Sequence, residues 1–592
     1  MNTDIENLFK DKVLGHPAGL FVLFFTEMWE RFSFYGMRVL LVNFLTFAVV
    51  GANPGWGWSA ENAGALFGTY AMLLYITPII GGVIADKITG YRWAVVIGSL
   101  IMALGHASMA LETELSLYLG LGLLVTGTGF FKPNITSIIS EMYKEKPEKK
   151  DGAYTIFYMG VNAGAFFGMM LCGYLAEKIG WSYGFGLAGI FMLLGTLQFA
   201  LSGNLFGKIG KKPSKVYEVE LPQNINEERE IESEEDSIIE KPNPFTTLDK
   251  ILIAISSIIG LGYAINDPMS KIAGIDMFSS FETEQLEGQY VGVLLALALF
   301  LVLVIGRILR YTAVVRDRMF AFIIFAFFTV FFWLSFEQGA SSLVLFARDS
   351  VDRVLIGNAA ITFNIVNALL TVIPLLIITY VLYILWKKTF SKIPYSNFVL
   401  VICFLAMWSL VGWMLNREFS ADVSEITVSW FSILNSFFII VFASFFSKWF
   451  ESKYNPTAAN KYALGLIIMA IGFGLLAFGS YGVEAGVKVS MAWLILAYLF
   501  HTLGELCLSP VGLSYVSKLV PARMIALMFG MWYLAIAIGN KLAAVLGGQI
   551  ENITKEYSLS TFFLIFTIVP LVAGLLIFAL NPVLKKLMHG VR

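Results

Sequence analysis

Charged and polar side chains set inside long apolar runs are the residues of this sequence whose types and spacing can do chemistry. A charge at the centre of a bilayer costs ~2.5–3.5 kcal/mol on insertion scales, so such residues must face a cavity or a partner. The first apolar run carries Glu27, Glu30 and Arg31 at i, i+3 and i+4, on one helical face. Arg38 lies about two turns further along it. Two carboxylates beside two guanidiniums can exchange a proton without leaving a bare charge, or can form an ion cluster that only fixes packing. Lys132, next to Pro133 in mid-run, implies a bent helix and a cavity; the alternative is a lysine snorkelling to the interface. Tyr154, Tyr158 and Asn162 repeat every four residues and form a polar stripe, for ligand or for interhelical hydrogen bonds. Glu337 is a lone acid in a long apolar run. His501, Glu505 and Ser509 again repeat every four. Either acid can titrate or stay permanently protonated. For His501 packing and proton relay remain open, and for Trp532 packing and binding do.

The elements that position these groups are membrane helices. Of the 592 residues 57% are hydrophobic and 14% charged, against roughly 25% charged in ordinary soluble domains. Lipid removes the need for a charged surface. Apolar runs long enough to span ~30 Å of hydrocarbon fall at about 17–50, 62–85, 91–111, 115–140, 152–178, 182–204, 249–266, 289–311, 318–346, 355–386, 394–415, 430–450, 461–481, 490–517, 523–549 and 560–584. The expected fold is therefore all-α and polytopic. A net charge of -1 gives no reason to expect nucleic acid. Cys172, Cys403 and Cys507 all sit in apolar runs, which argues against disulfides and zinc. The polar, acidic N-terminus has no basic-then-apolar leader, so no cleaved signal peptide is expected.

Eight acidic residues between Glu227 and Glu240, with nearby prolines, mark a flexible linker. The expected organisation is a six-helix bundle over 1–204, a charged linker over 205–248 and two accessory helices within 249–316. A second six-helix bundle over 317–592 then carries an inserted hairpin at about 355–416. An even number of crossings with cytoplasmic termini puts nearly every basic loop inside, as the positive-inside rule requires. Transporters often bind substrate at the midplane between two such bundles. The stretch Gly82–Arg92, with Asp86, Lys87 and Gly90, resembles the cytoplasmic loop motif of the major facilitator superfamily.

The first bundle supplies cations (Arg31, Arg38, Lys132) and the second acids (Glu337, Glu505). A zwitterion would bridge them, each end meeting its opposite charge. Amino acids and short peptides fit that pattern better than sugars or apolar drugs.

At this level of detail the chain resembles the proton-dependent oligopeptide transporters of the major facilitator superfamily, over most of its length. The most specific match is Glu27-x-x-Glu30-Arg31-Phe32-x-Phe34-Tyr35, followed by Phe157 to Phe166, Lys132-Pro133-Asn134, Phe336-Glu337-Gln338, Gly504-Glu505 to Leu513, and Trp532. The resemblance implies proton-coupled uptake of di- and tripeptides at a cell inner membrane, with the proton as coupling ion, no other cofactor and no metal. It implies that Glu27, Glu30, Arg31 and Glu337 couple the proton, and that Arg31 and Lys132 hold the peptide carboxylate. Glu505, Asn162 and Asn435 would hold the amino end, with Tyr35, Tyr75, Ser509 and Trp532 lining the pocket. Arg38 and Glu337 would form a gate, and the spans at 249–266 and 289–311 would be accessory helices.

Four departures stand out. Phe34 replaces the motif's first tyrosine. Ser432 and Ser436 stand where the family usually has glutamine and proline. The segments 355–386 and 394–415 are extra. The second helix lacks the histidine that animal members use for protons, so coupling is expected to rest on carboxylates. The main competitor is a proton-coupled carrier of another solute, such as nitrate, an amino acid or a conjugated metabolite. A non-transporting receptor on the same fold is a weaker one. An enzyme is not expected, because no nucleophile–base pair, metal cluster or phosphate loop is apparent.

Overall fold

The computed structural model describes residues 10–146, 149–212, 243–483, 486–520 and 524–591. The acidic run of the linker and Arg523 lie outside the described residues. The chain forms sixteen long helices: α1 (Ala18–Thr46), α2 (Ala60–Ile84), α3 (Tyr91–Met109), α4 (Glu114–Met142), α5 (Lys150–Lys178), α6 (Trp181–Ala200), α7 (Thr247–Ala273), α8 (Gly288–Ile308), α9 (Ala313–Phe336), α10 (Asn358–Thr389), α11 (Pro394–Phe419), α12 (Val428–Glu451), α13 (Ala458–Gly479), α14 (Met491–Leu519), α15 (Ile525–Gly547) and α16 (Leu559–Ala579). Past Phe336, α9 tightens into a 3₁₀ turn, Glu337–Ala340, and continues as Ser342–Asp349.

Among the described residues fifteen helices are long and apolar enough to cross a membrane. The exception is α1, whose four charges spoil its hydropathy; nearly all of its 29 residues are nonetheless buried in the protein. Local signals set the starts. Thr113 and Ser116 form a reciprocal cap on α4, as Thr246 and Asp249 do on α7. Strand structure among the described residues is limited to three two-stranded pairs at helix ends.

Helices α1–α6 make one bundle, in which α1 lies against α5 and α6, α2 against α4, and α3 against α4 and α6. Helices α9 and α12–α16 make the other, with α13 against α14 and α16, α9 against α14 and α15, and α12 against α14. Close approach within the first bundle depends on glycine. A Cβ on Gly168 of α5 would stand 2.1 Å from the Phe32 carbonyl oxygen of α1, and one on Gly164 would stand 2.2 Å from that of Met28. Small residues let membrane helices meet backbone to backbone. Here they hold the charged face of α1 beside Asn162.

The bundles meet along two seams, α2 on α15 and α5 on α12. The second helix of one bundle thus pairs with the fifth of the other, and the reverse, as a two-fold relation demands. Helix direction places the tight parts of both seams at one end. There Gly64 and Gly68 of α2 abut Ala544 of α15, and Glu177 of α5 accepts hydrogen bonds from the Val428 and Ser429 amides that open α12, at 2.7 and 2.9 Å. The carboxylate satisfies orphan donors of a helix N-terminus.

The helices outside the two bundles lie over the seams. Helices α7 and α8 pack on each other, and α7 rests on α2. Helices α10 and α11 pack on each other; α11 rests mainly against α6, with further contacts to α5, and α10 touches α1, although both follow α9 in the chain. Phe404 of α11 makes edge contacts with Phe25 and Trp29, and Ser396 donates to the Gln198 carbonyl at 2.7 Å. Asn367 of α10 accepts from the Trp430 indole of α12 at 3.1 Å. The pair therefore touches both bundles.

Candidate functional site

A cavity of about 380 Å³ lies between the bundles, within the ~300–1,000 Å³ of pockets that enclose small ligands. Its wall includes Arg31, Tyr35 and Arg38 from α1, Tyr75 from α2, Lys132 from α4 and Asn162 from α5. The other bundle contributes Glu337, Asn435 from α12, Glu505 and Ser509 from α14, and Trp532 from α15. Tyr158 also lines it yet is 52% exposed, so the cavity opens away from the tight seams. Glu27 and Glu30 are not in the wall; they stand behind Arg31.

The arginine of that cluster bridges both acids. Its Nε lies 2.7 Å from Glu27 Oε1, in a hydrogen bond, and 2.8 Å from Glu30 Oε2. The second contact lacks hydrogen-bond geometry, and neither oxygen of the fully buried Glu30 has a hydrogen-bond partner. The outer edge of the guanidinium is left to the cavity. Lys132 places its Nζ 4.6 Å from the centroid of the Tyr75 ring, a cation–π contact. No carboxylate forms an ion pair with it among the described residues.

In the opposite wall Asn435 donates to Glu505 Oε2 at 2.9 Å and to Thr502 Oγ1 at 3.1 Å. That amide fixes the carboxylate's orientation. Ser509 Oγ has no partner. Asn162 donates to the Tyr158 carbonyl at 3.0 Å. Trp532 is buried against Phe322 and over Gly512.

At the closed end Arg38 of α1 forms an ion pair with Glu337, across the bundle boundary. The guanidinium also faces the rings of Phe34, Tyr35 and Phe67 at about 6 Å. A phenylalanine at position 34 keeps this aromatic contact while dropping the hydroxyl.

Two charged residues at the closed end escape a reading of the sequence. Lys541 of α15 and Asp267 of α7 form a buried ion pair at 2.5 Å, each about 2% exposed. The ammonium also donates to Thr69 Oγ1 at 3.0 Å and the Ala65 carbonyl at 3.2 Å, both on α2. Thr69 in turn donates to the Ala264 carbonyl of α7 at 2.5 Å. One ammonium thus ties together an accessory helix and one helix from each bundle. The signal that marks Lys132, a lysine inside an apolar run, is equally present at Lys541.

Among the described residues no cluster of histidine, cysteine, aspartate or glutamate could hold a metal ion. Two six-helix bundles around a closed-at-one-end, charge-lined cavity define a membrane carrier of the major facilitator fold. The profile of the POT family matches residues 92–397 and 398–565. The chain belongs to that family, which is a family of transporters. It is 29% identical to an uncharacterized transporter, YclF, of Bacillus subtilis, over 98% of this chain and 96% of the relative. It is also 29% identical to the peptide transporter YePEPT of Yersinia enterocolitica, over 97% and 96%. A crystal structure of a peptide transporter POT in complex with alafosfalin superposes with a TM-score of 0.70 at 28% identity, covering 100% of this chain and 99% of that one.

Proposed function

We propose that this protein imports di- and tripeptides together with protons, by alternating access across a cell inner membrane with both termini cytoplasmic. One observation carries the reading. A single cavity presents Arg31 and Lys132 from one bundle and Glu505 from the other. The peptide carboxylate would meet the two cations, and its ammonium would meet Glu505, held by Asn435 and supplemented by Asn162. Tyr35, Tyr75, Ser509 and Trp532 would form the walls around the side chains.

The closed end would face outward, as the basic loops on the opposite side favour. Import would then begin when a proton on Glu337 weakens its hold on Arg38 and the tight seams part. Glu27 and Glu30 would carry protons beside Arg31, because a carboxylate oxygen without a donor accepts a proton without breaking a hydrogen bond. One proton moving down 100 mV supplies ~2.3 kcal/mol. That supports roughly a fifty-fold peptide gradient at ~1.4 kcal/mol per tenfold.

The test is uptake of labelled dialanine by proteoliposomes under an imposed inward proton gradient. Accumulation that a protonophore collapses, and that unlabelled tripeptide inhibits, is the expected result. Uptake of nitrate or a free amino acid with no response to peptide would overturn the reading.

A further inference from the structure

The imidazole of His501 lies in the cavity wall one helical turn from Glu505, and none of the steps above uses it. The residue is 3% exposed. Its ring packs on Phe473 of α13 with centroids 4.3 Å apart. The Cδ2–Nε2 edge faces Gly472: a Cβ built there would stand 2.6 Å from Cδ2 and 2.8 Å from Nε2. Nε2 is buried and has no hydrogen-bond partner. The Nδ1 edge therefore points the other way, toward the cavity.

This geometry selects a tautomer. A neutral imidazole carries one N–H and one bare nitrogen. Orphaned buried N–H groups are rarer in proteins than acceptors left short of a donor. A proton on Nε2 would strand a donor against a glycine in an apolar wall. A proton on Nδ1 gives the wall one N–H donor, aimed where substrate sits. The neighbouring polar groups have other duties. Thr502 donates to the Tyr498 carbonyl and accepts from Asn435, and Glu505 accepts from Asn435.

We propose that His501 is a specificity-determining residue that donates its Nδ1–H to the first carbonyl oxygen of a bound peptide. The inference rests on the peptide reading, with the ammonium seated on Glu505. By the bond lengths of a peptide unit, the carbonyl oxygen of that same residue lies about 3 Å from the ammonium nitrogen. Helix α14 places His501 ~6 Å along its axis from Glu505, which brings a side-chain donor over that oxygen. A substrate that offers a carbonyl acceptor next to its ammonium is thereby preferred over an amine of equal size without one.

The experiment compares dialanine with its trans-alkene isostere, in which a carbon–carbon double bond replaces the amide and no carbonyl remains. Proteoliposomes carry the wild-type protein, His501→Phe, which keeps the stack on Phe473 without a donor, or His501→Asn, which restores an N–H near the Nδ1 position. Should the phenylalanine variant not fold, His501→Met removes the donor with a smaller, flexible side chain. The expected result is a rise of about 2- to 12-fold in KM for dialanine in the donorless variant, the worth of one neutral hydrogen bond. The maximal rate stays within twofold, asparagine restores most of the affinity, and the isostere competes equally against wild type and variant. Equal losses for both compounds would reduce His501 to a packing residue and overturn the proposal, as would no loss for either. If wild-type protein takes up neither dialanine nor tripeptide, the peptide reading itself falls, and this one with it.

Discussion

Replacing Asp267 by asparagine should destabilise the protein, because it leaves the buried ammonium of Lys541 without its counter-charge. Lys541 is 2% exposed, and Asp267 is its one ion-pair partner among the described residues. Asparagine keeps the shape and can still accept one hydrogen bond, while Thr69 and Ala65 can still accept theirs. The positive charge then has dipoles around it and no counter-charge. Breaking a buried pair from one side typically costs ~3–5 kcal/mol, because the remaining charge stays desolvated. Unfolding entropy for a chain of 592 residues is on the order of 1.2 kcal/mol/K. The expected drop in melting temperature is therefore ~2–4 °C. Cys172, Cys403 and Cys507 are free and buried, so a thiol-reactive fluorophore in detergent reports unfolding directly. The double variant Asp267→Leu with Lys541→Met removes both charges together, and should recover most of the loss. A single variant that melts with wild type would refute the reasoning, and so would a double variant that melts below the single one.

Three further outcomes follow from the same geometry. Glu505→Gln should raise the KM for dialanine roughly 10- to 150-fold, the worth of a hydrogen bond to a charged group, in proteoliposome uptake; an unchanged KM would remove Glu505 from the ammonium site. Glu30→Gln should abolish accumulation driven by a proton gradient while peptide–peptide exchange continues, because the binding groups in the cavity are untouched; counterflow and driven uptake measured side by side decide it. Gly168→Val should not yield folded protein, since even its Cβ would stand 2.1 Å from the Phe32 carbonyl oxygen; a monodisperse peak in size-exclusion chromatography would show that α1 can retreat from α5.

Much of the site could be read from sequence because membrane burial makes charge conspicuous. Arg31, Lys132, Glu337 and Glu505 each interrupt an apolar run, and all four reach one cavity. The same rule should have flagged Lys541. It stands as deep in its run as Lys132 does in its own, but its partner Asp267 lies just beyond an expected span ending at 266, so no acid inside a run points to it. Spacing along one chain also cannot show which bundle a hairpin joins. Helix α11 follows α9 and α10 in order, yet packs mainly on α6 and touches α1, because the matching contacts of Ser396 with Gln198 and of Phe404 with Trp29 come from distant parts of the sequence. The inward turn of Glu27 and Glu30 behind Arg31 was likewise invisible, since helical periodicity gives a shared face and not the depth at which each side chain ends.

The positions of the two extra hairpins bear on how lipid meets the moving parts. One seam runs under α7, the other beside α10 and α11, so each boundary between the bundles has protein laid against it. In the proposed transport cycle acyl chains would meet the outer faces of the hairpins there, with the seams between the bundles largely sheltered beneath them. Bilayer thickness and tail composition would then act on the proposed cycle through those hairpins rather than by wedging between the two halves.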